Sequence, residues 1–236
     1  MIGRRWVQAG GMAGIAAFIV TVASFSIQGN VPASSSSVAQ ITNYVTSHRS
    51  SVLAGTVLAV VIAALILWSA GTLARLVHAR DEQSPLGMIA LAAGAGIALI
   101  LSLDGITLTA LEFVSRQGGV VNPSLTRVLF ELQNGIIMPG AFGCVAAVWL
   151  VAVGVAAVRG IFAAPWLGWL SFVFAALAAA GSLLGLTSLD GGTSVFGYLP
   201  AIGSGVILLF SSIFMVRESA AGTTPLQSGV AATSAG

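Results

Sequence analysis

Residues 88–116 read MIALAAGAGIALILSLDGITLTALEFVSR, and this stretch decides the fold. Met88 to Leu103 carries no charge, and Asp104, Glu112 and Arg116 then follow. A helix crossing a hydrocarbon core of about 30 Å needs roughly 20 such residues at about 1.5 Å each. A surface helix of a soluble protein keeps a polar face, and residues 88–103 have none. Five more runs of this kind flank it. With this one taken as 86–111, the six are 6–27, 51–73, 86–111, 135–158, 165–186 and 198–216. Composition agrees: of 236 residues, 57% are hydrophobic and 7% charged, and the mean hydropathy is +1.00. Soluble domains carry about 25% charged residues, so this chain lacks the charge to cover a soluble surface. The expectation is an all-α membrane protein, a bundle of six transmembrane helices filling residues 1–217, with a disordered cytoplasmic tail over 218–236.

The run 6–27 follows Arg4 and Arg5 and so invites comparison with a signal peptide. Its apolar part is longer than the usual h-region of about 7–15 residues, and it reads as a retained span. Arginines set the orientation by the positive-inside rule. With the N-terminus inside, Arg4, Arg5, Arg75, Arg80, Arg159 and Arg217 are cytoplasmic, and Arg49, Arg116 and Arg127 are outside. The reading is therefore a multi-pass protein of the cell membrane with both termini cytoplasmic. Trp6, Trp68, Trp166 and Trp169 map to the cytoplasmic interface, where an amphipathic ring is stable; Trp149 lies deeper. Gly10/Gly14 and Gly181/Gly185 have the small-xxx-small spacing that lets helix backbones approach closely in lipid, read here as packing within the chain.

Composition also excludes functions. All nine basic residues are Arg, so Schiff-base lysine chemistry is excluded. The single cysteine, Cys144, allows no internal disulfide. His48 and His78 lie about 30 residues apart on one helix, roughly 45 Å, too far to share a haem. No His/Cys cluster offers a metal site, no Gly-rich loop in strand–helix context offers a phosphate site, and no basic stripe suggests nucleic acid. No cofactor, metal or catalytic residue is assigned.

Two polar regions remain. Between the first two spans, residues 28–50 place Val38, Ile41 and Val45 at helical spacing, with Ser36 or Ser37 as cap. This predicts a short amphipathic helix on the outer face, acting as a lid over loop ends or as a gate. Farther on, Asp104 sits about 27 Å from the cytoplasmic end of its span, near the outer hydrocarbon boundary, with no cation at i±3 or i±4. Such a carboxylate needs a partner from another helix, a water-filled cavity, or a proton. Glu112 and Arg116 are spaced to pair. A long helix starts at Asn122-Pro123 and carries Arg127, Glu131, Asn134 and Met138 on one stripe; Gln133 falls off it. From Ser124 to Val158 that helix is about 50 Å long, so it projects beyond the membrane. Pro139 frees the Gly135 carbonyl, and a kink there opens space beneath the charged stripe.

The segments SVAQITNYVTSHRSSVLAG, LARLVHA, NPSLTRVLFELQNGI and APWLGWLSFVFA resemble a group of uncharacterised six-helix integral membrane proteins common in actinobacteria, a domain-of-unknown-function group. The resemblance covers most of the chain and implies the six-helix topology. That group has no established activity to carry over.

Two readings of the polar set compete. In one, Arg127–Glu131 and Glu112–Arg116 are solvated pairs that stiffen an extramembrane hairpin. In the other, Asp104, Glu112, Arg127, Glu131 and Asn134 line an outward-facing pocket between the third and fourth spans and bind, or help to move, a small amphipathic or lipid-like molecule. The second is the leading functional reading. An accessory subunit bound to a membrane protein partner is the alternative, and an intramembrane enzyme using a carboxylate acid/base is the third. Apart from the lipid bilayer, the partners considered are thus a small amphipathic ligand or another membrane protein.

Overall fold

The computed structural model describes residues 3–33, 35–116, 123–187 and 195–221. The elements in chain order are α1 (Arg4–Gln28), α2 (Val38–Ser47), α3 (Arg49–Arg80), α4 (Leu86–Arg116), α5 (Pro123–Glu131), a π-helical segment (Leu132–Phe142), α6 (Gly143–Val158), α7 (Pro165–Thr187) and α8 (Val195–Ala221). No strand occurs among the described residues. Among the described residues, six helical stretches are long and apolar enough to cross a membrane: Arg4–Gln28, Arg49–Arg80, Leu86–Phe113, Gly140–Val158, Pro165–Thr187 and Tyr198–Ala220. Helices are the expected form, because the bilayer core offers no water to backbone groups and each must be satisfied within its own segment.

Helix α1 packs against α3 and α8; α3 packs on α4, and α6 is held by α4 and α7. Small residues set these distances. A Cβ on Gly14 would lie 1.9 Å from Ser212 Oγ and 2.7 Å from Ser69 Oγ. One on Gly168 would meet the Gly154 carbonyl oxygen at 2.6 Å. The stripe of Gly10 and Gly14 is therefore spent inside the chain, wedging α1 between α3 and α8. Around these contacts lies one core that includes Leu73, Val77, Trp149, Leu150, Leu167, Ile207 and Met215.

A second, smaller core sits at one end of the bundle. Ser37 caps α2: its hydroxyl accepts from the Gln40 N–H at 3.3 Å, and its own N–H donates to Gln40 Oε1 at 2.9 Å, a complete capping box. The buried face of α2 consists of Ile41, Tyr44 and Val45, which close over Val52, Leu111 and Phe130. The amphipathic helix expected after the first span is thus present, and it covers the ends of α3, α4 and α5.

At the opposite end, Arg80 of α3 pairs with Glu218 of α8 and donates to the Ile161 carbonyl. Helix α8 continues to Ala221, past residue 218 where a disordered tail was expected to begin, and Glu218 finds its cation on a neighbouring helix. Residues 222–236, Asp190 with the Gly191-Gly192 turn, and the side chains of Arg116, Met138 and Pro139 lie outside the described residues.

The long helix expected over residues 124–158 is not α-helical throughout. Residues Leu132–Phe142 form 11 residues of π-helix between α5 and α6. Pro139 cannot donate to the carbonyl four residues earlier, so the segment relaxes into the wider i→i+5 turn. Such helices are rare, normally a single turn, and frequent at functional sites.

Candidate ligand-binding cavity

The π-helical segment forms one wall of an internal cavity of about 170 Å³ near the α2 end. Helix α1 contributes Phe18 and Phe25, α3 contributes Ile62 and Ile66, α4 contributes Ile97 and Leu101, and α8 contributes Gly205 and Leu208. Phe142 and Trp149 close the side made by the π segment and α6. The linker after α1, at Gly29 and Val31, lies over the end nearest α2. The walls are mostly apolar. The size sets a limit on the occupant, since an apolar cavity of about 150 Å³ holds benzene.

The polar groups gather at one place. Asp104 of α4, Gln133 and Asn134 of the π segment, and the Trp149 indole all border the cavity. The Gln133 amide reaches the Asp104 carboxylate. Asn134 Nδ2 donates to the Phe130 carbonyl at 3.2 Å. Asp104 Oδ1, Gln133 Oε1 and Trp149 Nε1 are inaccessible, and none has a hydrogen-bond partner among the described residues. Gln133 is 6% exposed and Trp149 is 3% exposed. Buried polar atoms are ordinarily satisfied, and an orphan costs about 1–3 kcal/mol. Three such atoms border this one cavity. Just past Asp104, Thr56 of α3 donates to the Gly105 carbonyl at 3.0 Å and shares a hydrogen bond with Thr109 at 2.8 Å. These contacts fix the rotation of α4, and with it the direction of the carboxylate.

The structure splits the five residues that the sequence grouped. Asp104 and Asn134 border the cavity; Glu112, Arg127 and Glu131 do not. Glu112 is buried beneath α2 and forms an ion pair with Arg49 Nε at 2.7 Å, a partner from α3. Arg127 pairs with Glu131 one turn on and donates to the Ser36 carbonyl at 2.8 Å. Both members of that pair are partly exposed, which fits the stiffening role. The cavity is also wider in origin than a cleft between the third and fourth spans, because α1, α3 and α8 supply much of its wall.

Gln133 is the site residue that sequence reasoning passed over. A stripe drawn with 3.6 residues per turn sets it beside the polar face. In the structure Gln133 and its neighbour Asn134 both border the cavity at the start of the π segment, so the polar face there is wider than that stripe. Pro139 between Gly135 and Gly140 was the available signal. Tyr44 ties α2 to the cavity's rim: its hydroxyl donates to the Gln28 carbonyl at 2.8 Å, and Gln28 borders the cavity. Burial, and secondarily the nearby Tyr198, raise the Tyr44 phenol above its ordinary value.

Comparison with protein-family models, curated proteins and solved structures finds no match. The functional reading therefore rests on the cavity's own chemistry.

Proposed function

We propose that this protein binds a small amphipathic molecule in the cavity and holds it, or passes it on, within the membrane. The observation that carries this reading is the buried Asp104 oxygen without a partner, beside Gln133 and Trp149, at the polar end of an otherwise apolar chamber. Apolar walls with a few convergent polar groups are the usual make-up of a small-molecule site. An ionisable group at membrane depth normally marks one too.

The arginine distribution orients the protein in the cell membrane with both termini cytoplasmic. On that assignment, α2 and the polar end of the cavity face outward, and α2 with the Gly29–Val31 linker serves as the lid. The pocket opens away from the cytoplasm, which suits a molecule taken from, or delivered to, the outer leaflet.

The test is native mass spectrometry of the full chain purified in a neutral detergent, with Asp104→Ala and the cavity-filling Ala201→Phe as variants. Ala201 borders the cavity. A co-purifying mass in the wild type that both variants lose supports the reading. A bare protein in the wild type, or a mass held equally by Ala201→Phe, rejects it.

A further inference from the structure

We infer that the polar end of the ligand is a protonated amine. This rests on the binding role proposed above and names the chemistry of the same cavity.

The argument is a count of donors, acceptors and charge. Two of the three orphaned atoms, Asp104 Oδ1 and Gln133 Oε1, are acceptors. The amide of Gln133 is already turned to the carboxylate, and that of Asn134 to the Phe130 carbonyl. Gln28 donates to Ser24 Oγ at 3.1 Å. The hydroxyl of Thr21 is bonded to the Ala17 carbonyl, and that of Ser204 to the Pro200 carbonyl. Of the wall's donor groups these five are committed, leaving the Ser24 and Tyr198 hydroxyls and Trp149 Nε1, while two buried acceptors wait. Among the described residues Asp104 is the one carboxylate on the wall, and neither Arg nor His borders the cavity. The nearest acid on the same helix, Glu112, already holds its own cation in Arg49.

A carboxylate in apolar surroundings takes up a cation or a proton. The ligand can bring the cation. A primary ammonium has three N–H donors and one positive charge, enough for Asp104 Oδ1 and Gln133 Oε1 together. Aromatic faces at Phe18, Phe25, Phe142 and Trp149 add a second attraction for a cation. The cavity of about 170 Å³ is partly open, so it takes the amine with the near end of an alkyl stem and leaves the far end outside. No group of three or more His, Cys, Asp or Glu occurs among the described residues, and the sodium arm of the test separates an alkylammonium from an inorganic cation.

The test uses the full chain in neutral detergent with four probes: octylamine, octanol, octanoate and sodium chloride. Binding is read by calorimetry and by Trp149 fluorescence against a Trp149→Phe control. Octylamine is expected to bind, with octanol roughly tenfold or more weaker, the factor expected of one charge-assisted hydrogen bond. Octanoate and sodium are expected to leave the cavity empty. Asp104→Asn, which keeps size and shape, should bring octylamine down to the octanol level while octanol binding persists, and that persistence shows that the variant folds. Equal binding of octylamine and octanol by the wild type would overturn the inference and leave Asp104 as a protonated wall group. Selectivity retained in Asp104→Asn, or displacement of octylamine by sodium, would overturn it as well. Failure of all four probes to bind would instead overturn the binding role itself, so the two failures are distinguishable.

Discussion

Glu112 and Asp104 lie eight residues apart on one helix and meet opposite fates. Glu112 is 2% exposed and forms an ion pair with Arg49; Asp104 has an orphan oxygen in a cavity. A buried carboxylate that loses its cation is costly, and Arg49 is partly exposed, which moderates the loss. Arg49→Ala should therefore destabilise the fold by about 1–3 kcal/mol. The double variant Arg49→Ala/Glu112→Gln should recover part of it, because the uncompensated charge goes with the acid. Thermal unfolding in detergent measures both, and a double variant no better than the single one would refute this pairing. Asp104→Asn, by contrast, should leave stability unchanged or higher, since it removes a buried charge with no cation beside it among the described residues. The sequence flagged both acids as unusual but offered Glu112 only Arg116, whose side chain lies outside the described residues, because spacing along a helix reveals only partners within the same helix. Arg49 lies 63 positions earlier and reaches Glu112 only when α3 and α4 pack.

Two elements govern the cavity: the lid and the π segment. Tyr44 anchors α2 through its hydroxyl, so Tyr44→Phe should cost about 1 kcal/mol of docking. The pH dependence follows from its raised phenol. A raised folded-state value means that the stabilisation is complete below the unfolded value near 10 and is lost as pH rises through the folded one. The wild type should therefore lose thermal stability as pH rises above about 10, and Tyr44→Phe should lose less; parallel pH profiles would contradict the anchoring role. For the π segment, Pro139→Ala restores a backbone donor and lets the helix return towards the i→i−4 pattern. Gln133 should then turn away from Asp104, and ligand retention should fall with no loss of stability. Retention unchanged in Pro139→Ala would show that the π turns do not set the site. The lid was legible in the sequence because its apolar spacing and its capping serine are local signals. The π segment was legible only as a proline between glycines, since a period of 3.6 is assumed wherever a stripe is drawn.

Over the whole molecule, six spans follow from composition and run length alone, because crossing a membrane is a constraint on length and polarity. Which helices touch is fixed by small residues in close contact, and that is a property of pairs. Gly168→Ala should separate α6 from α7, since its Cβ would meet backbone at 2.6 Å. A loss of about 1–3 kcal/mol is expected, and an unchanged unfolding midpoint would contradict it. Orientation is testable by thiol labelling of intact cells in a Cys144→Ala background. Both Ser35 and Glu82 are exposed at opposite ends of the bundle. Ser35→Cys should react with an impermeant reagent and Glu82→Cys should not; the reverse pattern would invert the topology.

The central claim is that the chamber beside Asp104 holds an amphiphile. A photoreactive alkylamine, cross-linked to the membrane-embedded protein and mapped by peptide mass spectrometry, tests it most directly. The account predicts adducts on residues 97–104 and 142–149, competed by octylamine and lost in Ala201→Phe. Adducts confined to outward-facing positions such as Val173 and Leu183, which are 55% and 68% exposed, and indifferent to competition, would contradict it.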